Sequence, residues 1–305
     1  MPRSVAIPLV VVGSVALDTV ATVRDRRADV LGGSVSYACT AASFFRKPGL
    51  VGVVGDDFPE EYSRRLQRFG VDMRGLQRKP GKTFRWSGVY EADMNRRRTI
   101  STELNVFADF WPELPPDYRE CRFLFLANIE PRLQIHVLDQ VRKPGFVAAD
   151  TMNLWIHTAR EDLLKVIRRV HLLLVNDEEA RLLSGEASLW KAAKIILKMG
   201  PRFLIIKRGE YGSVLVSAAG RFLLPAFPVD DVRDPTGAGD CFAGGLMGFL
   251  ALRGRTDEPT LRRAMMHGTV LAAFCVEDFS LDRFHTLKAL HVAARYADFC
   301  RMIRA

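Results

Sequence analysis

The chain is predicted to be an α/β protein, with a mostly parallel central sheet between two layers of helices and a small β lid. Three observations lead there. Short apolar runs recur along the 305 residues, amphipathic segments with helix start and stop signals lie between them, and one region breaks that alternation. Repeated strand–helix alternation is the pattern of a parallel sheet covered on both faces, where strands read as continuous apolar runs.

The strands are read in order as "IPLVVVGSV", "GLVGVVG", "RFLFLAN", "GFVAAD", "VHLLLVN" and "RFLIIKR". Of the segments between them, "PEEYSRRLQRFG" has a helix start in Asp57, Pro59, Glu60 and Glu61 and a stop in Gly70. "PRLQIHVLDQVRK" and "DEEARLLSG" follow the same scheme. The exception runs from Lys82 to Phe107, where β-branched and aromatic residues flank a polar centre and predict antiparallel hairpin strands. The stretch from Asp18 to Val30 can add a further strand, so the lid is placed at about 14–31 and 82–107. No repeat or low-complexity linker interrupts the chain, which is expected to form a single domain over 1–305.

Composition narrows the function classes. Hydrophobic residues at 48% and charged residues at 26% are ordinary for a soluble globular protein. A net charge of +9 suits nucleic acid or a polyanionic small molecule such as a nucleotide, but the arginines are scattered. Their tightest run, "NRRRT" (Asn95 to Thr99), reads as a solvated hairpin tip, and no nucleic-acid partner is expected. Five widely spaced cysteines without a CxxC pair predict reduced thiols in a cytoplasmic protein, and the six histidines show no metal-ligand spacing. The N-terminal "MPRSVAIPLVVVGSVALD" imitates a signal peptide, yet Pro8 interrupts it and a buried strand reads the same way. No stretch approaches membrane-spanning length, so no membrane partner is expected.

Two glycine-bearing segments compete as a phosphate site. "GLQRKPGKT" (Gly75 to Thr83) imitates a P-loop, but Leu76 stands where the first glycine is needed. A strand-like run, not a helix, follows Lys82, so no helix N-terminus faces a phosphate. A dinucleotide fingerprint is also missing, since "VVVGSVALD" has one glycine where three are required. In "DPTGAGDCFAGGL" (Asp234 to Leu246), Pro235 and Thr236 set a turn that Gly237 and Gly239 allow, and a helix follows. Free amides and the dipole at that helix start suit charge developing on a transferring phosphoryl group. Asp240 stands beside them, where a carboxylate can take a proton from an attacking hydroxyl. The same residues also suit a helix cap and a plain turn, and this stretch alone does not separate the two.

Five segments in order break that tie, because together they resemble the ribokinase-like (PfkB) family of carbohydrate and nucleoside kinases. They are "VLGGSVSYA", "VGVVGDDFPEE", "LLLVNDEEA", "IIKRGEYGS" and "DPTGAGDCFAGGL", the last being the family signature. The resemblance spans nearly the whole length and implies the ribokinase-like three-layer fold with its lid. It implies ATP-dependent phosphorylation of a hydroxymethyl group on a sugar or related polyol. A nucleoside 5′-hydroxyl is the first alternative, an inositol-type acceptor the second, and a non-catalytic sugar binder a distant third, since a binder needs neither Asp240 nor an intact "GAGD".

The resemblance also implies roles for single residues. Asp240 is the catalytic base, and the amides of Gly237, Ala238 and Gly239 form the anion hole. Asn176 and Glu179 lie near Mg²⁺ and its waters; Glu179 also suits an ordinary first helical turn. Lys207, Gly209 and Gly212 border the nucleotide. Asp234 takes the place that helps bind a monovalent cation such as K⁺ in some members, or is a plain turn residue. Asp18, Gly32 and Gly33 face the acceptor's hydroxyls, and Glu130 in "LANIEP" resembles a substrate-side glutamate. A homodimer through the β lid is implied as well. One departure bears on specificity: where ribokinases carry lysine and then asparagine after the double glycine, this chain has Ser34 and Tyr37. A bulky phenol there is expected to narrow the sugar pocket.

Overall fold

Alternation along the apolar strands builds two cores, one on each side of a central sheet. In the computed structural model, which describes residues 7–304, β1 (Leu9–Val12) sends Leu9 and Val11 to one side and Val10 and Val12 to the other, all fully buried. The other strands are β2 (Ala16–Ala21), β3 (Arg26–Gly32), β4 (Gly49–Val54), β5 (Asp72–Arg78), β6 (Arg85–Tyr90) and β7 (Arg97–Glu103). Beyond them come β8 (Phe123–Leu126), β9 (Phe146–Asp150), β10 (Leu172–Asn176), β11 (Phe203–Lys207), β12 (Ser213–Ser217) and β13 (Gly220–Leu224).

Nine strands form the main sheet in the order β13-β12-β11-β10-β9-β8-β1-β4-β5. Every pairing from β11 to β5 is parallel, and only the β11–β12 and β12–β13 pairs at one edge run antiparallel. Helices Ser34–Ser43, Ala238–Arg253 and Glu258–Cys275 pack on one face, and Pro131–Gln140, Arg160–Ile167, Asp177–Ser184 and Leu189–Lys198 on the other. The six apolar runs named above all became strands of this sheet. The β5 strand and the β12–β13 hairpin were not anticipated: "DMRGLQR" is mixed in polarity and only partly buried, and "GRFLL" is short and largely exposed.

The lid is a separate four-stranded sheet of order β3-β2-β6-β7. Its two hairpins are antiparallel, but the central β2–β6 pair is parallel, with Asp18 opposite Trp86 and Val20 opposite Gly88. Two local expectations are corrected. Asp57 does not start the following helix, which begins at Glu60 behind Pro59 with no side-chain cap. The Asp57 carboxylate instead accepts from the Thr83 amide and the Arg85 guanidinium, both at 2.7 Å, tying the lid's entry to the main sheet. The "NRRRT" run is also not a hairpin tip throughout: the turn lies at 91–96, and Arg97, Arg98 and Thr99 lie in β7.

No helix among the described residues is long and apolar enough to cross a membrane. All five cysteines are free thiols. Residues 1–6 of the leader-like segment lie outside the described residues.

Candidate active site

The "DPTGAGD" turn is held from below by its own aspartate and from the side by a tyrosine. Asp234 is wholly buried, and its carboxylate accepts from the Thr236 amide at 2.8 Å and the Ser280 amide at 3.3 Å. Burial nonetheless raises its carboxyl above the usual range. Gly237 takes the left-handed conformation (φ 77°) and precedes the helix Ala238–Arg253. A Cβ at Gly237 would fall on the Tyr37 ring, so glycine is needed here for backbone and for space alike. The Ala238 amide is already turned to the Pro235 carbonyl at 3.2 Å, a correction to its expected place in the anion hole. Among the described residues, the amides of Gly237, Gly239 and Asp240 have no acceptor and stand at the positive end of the helix.

Asp240 occupies the first turn of that helix, half-buried beside a cluster of charges. Burial first, then the nearby Asp150 carboxylate, raise its carboxyl to about 7, while Lys207 and Arg97 pull the other way. Lys207 ends β11 and forms an ion pair with Asp150, which ends β9, at 2.6 Å. Burial pulls the Lys207 ammonium down, but Asp150, Glu179 and Asp240 outweigh it and hold the group above the usual lysine range. Asn176 ends β10 and caps the helix Asp177–Ser184 in a reciprocal box: its Oδ1 accepts from the Glu179 amide, and Glu179 Oε2 accepts from the Asn176 amide, both at 2.7 Å. The helix-start reading of Glu179 is therefore real, yet the box uses one carboxylate oxygen. Burial raises Glu179 to about 7, against the pull of Lys207. These groups converge because β9, β10 and β11 are parallel neighbours ending on one side, where open α/β sheets gather their ligands.

Asp18 sits on β2, on the lid, with 4% of its surface exposed. A Cβ on Gly32 would overlap its carboxylate, and one on Gly33 (φ 89°) would meet the Ser14 carbonyl. The double glycine thus makes room for Asp18 itself before it makes room for a ligand. Burial and the charge of Asp234 raise the Asp18 carboxyl to about 7, with the Gly33 amide and Arg97 opposing. Trp86, Gly88 and Tyr90 share this lid face, as do their β7 partners Thr99 and Arg97. The half-buried indole covers Gly88, whose Cβ would strike it, and donates to Thr99 Oγ1 at 3.3 Å. Arg97 lies 5.5 Å from the indole centroid. The buried Tyr90 hydroxyl accepts from Thr236 Oγ1 at 3.2 Å, which seats the lid on the phosphate turn.

A cavity of about 700 Å³ opens on the other side of that turn. Lys207, Gly209, Gly212, Asn176, Ala238 and Gly239 border it, and Phe227, Val232, Phe242, Ala273 and Val276 supply an apolar slot. Gly212 (φ 83°) lets the loop after β11 pass against the Leu224 carbonyl. Lys82 of the P-loop imitation is exposed and does not border this cavity. Its neighbour Thr83 accepts from the Gly55 amide at 3.0 Å, so that segment is a seam between lid and sheet.

The expected residues gather at the carboxyl ends of the strands, and three residues named from the sequence are separate cases. Glu130 precedes the helix Pro131–Gln140 with its carboxylate paired to Arg132 at 2.8 Å. Tyr37, expected to narrow the pocket, is 1% exposed and supports the phosphate turn from beneath; among the described residues its hydroxyl finds no partner. Ser34 is likewise internal, accepting from the Ser14 amide at 3.2 Å. Asp150, Trp86 and Arg97 were missed. Arg97 is exposed, as a solvated residue should be, but it lies on β7 over the Trp86 ring, where "RTIST" carries strand-like β-branched residues.

Comparison with known proteins bears on the family and the fold. The family described as pfkB family carbohydrate kinase matches residues 8–283. A cytidine kinase of Thermococcus kodakarensis is 30% identical over 259 residues, covering 83% of this chain and 92% of that protein. Among solved structures, a Burkholderia thailandensis nucleoside kinase in complex with inosine superposes with a TM-score of 0.80 at 19% identity, over 95% of this chain and 97% of that one. A putative ribokinase II from E. coli in complex with ATP and Mg²⁺ gives 0.78 at 19% identity, over 95% and 99%. At such identities the two structures establish the likeness of fold.

Proposed function

Given that the chain belongs to the pfkB carbohydrate kinase family, an ATP-dependent phosphotransferase family acting on sugar and nucleoside hydroxyls, we propose that its acceptor is a nucleoside, phosphorylated at the hydroxymethyl group of its ribose. One observation carries the choice. Asp18 and Trp86 are direct partners across the parallel β2–β6 pair, so a hydrogen-bonding carboxylate and a half-buried indole share the lid face. A carboxylate suits a vicinal diol, and an indole suits the flat face of a base. A plain sugar or polyol, the first expectation from the sequence, would use Asp18 but has no flat base for the Trp86 indole, which would then serve only the packing of the lid. The relatives that act on nucleosides or ribosides, a cytidine kinase and an aminoimidazole riboside kinase, support the same reading.

In this reading Asp240 takes the proton from the attacking hydroxyl, and its raised carboxyl makes it a better base near neutral pH. The amides of Gly237, Gly239 and Asp240 hold the charge that builds on the transferring group. Lys207, anchored by Asp150, and Arg97, brought by the lid, are the cations facing this acidic cleft. Mg²⁺ bound with the nucleotide would neutralise phosphate charge. The residues present fit it, since Mg²⁺ favours phosphates, waters and one or two carboxylates, and Glu179 keeps one carboxylate oxygen outside its capping box. In this reading the second Glu179 oxygen would hold a water of that ion. Both Asp234 oxygens are occupied by amides, which supports a loop-organising role; K⁺ beside it rests on the family resemblance.

The test is ADP release over a panel of nucleosides and free pentoses and hexoses. Nucleosides should give the highest kcat/KM, and Trp86→Ala should raise the nucleoside KM at least tenfold while changing free-sugar turnover little. Equal turnover of free sugars by the unaltered protein would overturn the nucleoside assignment.

A further inference from the structure

The lid is expected to cover the acceptor, yet its β6–β7 turn reaches past the acceptor side to the nucleotide cavity. Asp93, Met94 and Asn95, all in that turn, border the 700 Å³ cavity opposite Lys207 and Phe242. Asn95 Nδ2 donates to Glu210 Oε1 at 2.9 Å, across to the short helical turn Gly209–Tyr211 of the nucleotide loop. Gly209 eases the approach, since a Cβ there would stand 3.3 Å from Asn95 Oδ1, tighter than an ordinary contact. The turn is built to present that side chain: Asp93 Oδ1 accepts from the Asn95 amide at 3.0 Å and the Arg96 amide at 3.1 Å. A second contact joins the lid to the same cavity, where Arg24, between β2 and β3, pairs with Asp231 beside the cavity-lining Asp230 and Val232. Met94 links the two halves, because it borders the cavity and also packs against the lid-side cluster of Val20, Tyr90 and Phe279.

We propose that the β6–β7 turn is a wall of the donor site, latched by Asn95 to Glu210, so that the lid holds the nucleotide as well as the acceptor. This rests on the kinase reading of the cleft. Its consequence is that opening the lid exposes both substrates at once. When the latch is lost, the fraction of protein with a complete nucleotide site falls, and the apparent Kd rises in proportion. Loss of one such hydrogen bond corresponds to roughly a three- to tenfold change.

The experiment is calorimetric titration of the full chain, without acceptor, with a non-hydrolysable ATP analogue and Mg²⁺. Asn95→Ala should raise the Kd roughly three- to tenfold. Glu210→Gln keeps the acceptor oxygen and should bind within twofold of the unaltered protein. Glu210→Ala should weaken binding in the native background and add nothing to Asn95→Ala, the non-additivity expected of one contact. Both side chains are exposed, and an unchanged Tm shows that each variant is folded. Binding by Asn95→Ala equal to that of the unaltered protein, or strictly additive losses, overturns the donor-wall assignment and leaves the kinase reading intact. Failure of the unaltered protein to bind the analogue overturns the kinase reading itself.

Discussion

Asp240 should impose an acidic limb near pH 7 on catalysis. Its carboxyl is raised from 3.8 to about 7, by burial first and then by Asp150. A base of that strength is about one-tenth ionised at pH 6, half at pH 7 and nine-tenths at pH 8, so kcat/KM should rise about tenfold from pH 6 to pH 8. The assay is initial-rate ADP release at saturating Mg²⁺·ATP and limiting acceptor, which reports groups free of acceptor. Asp240→Asn should lower the rate by roughly two or more orders of magnitude and remove the Asp240 share of the limb, leaving only what Asp18 and Glu179 contribute. Nucleotide binding should persist in that variant, because the amides of Gly237 and Gly239 are untouched. A variant with near-normal turnover, or an unchanged acidic limb, would remove Asp240 from the chemistry.

Other consequences follow from the same charges and the same turn. Arg97→Gln removes a cation that favours the Asp240 carboxylate, so the acidic limb should move to higher pH; an unmoved limb would place Arg97 outside the site. Asp18, Glu179 and Asp240 all bind protons more tightly folded than unfolded, so stability they add at low pH is lost as pH rises from about 4 through about 7. Without nucleotide, Tm should therefore fall by several degrees from pH 5.5 to pH 8, and Asp240→Asn should be the more stable protein at pH 8. Gly237→Ala combines a left-handed backbone with a Cβ on the Tyr37 ring and should cost about 2 kcal/mol or more. Chemical denaturation measures that loss, and a cost under about 0.5 kcal/mol would mean that the turn gives way freely.

The main sheet was legible because each of its inner strands is an apolar run buried on both faces, a signal that needs no knowledge of neighbours. The phosphate turn was legible because glycine spacing, a helix start and a carboxylate fall within a few consecutive residues. What stayed hidden depends on pairings between distant segments. Nothing local in "AADT" shows that Asp150 will meet Lys207, 57 positions on, and only the β9-β10-β11 order brings them together. Trp86 reads as an ordinary strand aromatic until the parallel β2–β6 register sets it opposite Asp18. The expected protrusion of Tyr37 failed for a related reason: the helix Ser34–Ser43 is buried along nearly its whole length, so its large side chain had to go inward.

That parallel β2–β6 seam also constrains how such a protein can change. A lid made of one hairpin could be exchanged as a single cassette, carrying its specificity along. Here two cassettes, some fifty residues apart in the gene, are zipped edge to edge along five register positions. Replacing one alone pairs a foreign edge with a native one, and a slip of one residue would turn Asp18 or Trp86 to the wrong side. Specificity in this lineage should therefore drift by single substitutions within each cassette, or by matched replacement of both, and recombination that breaks between them should yield few working progeny.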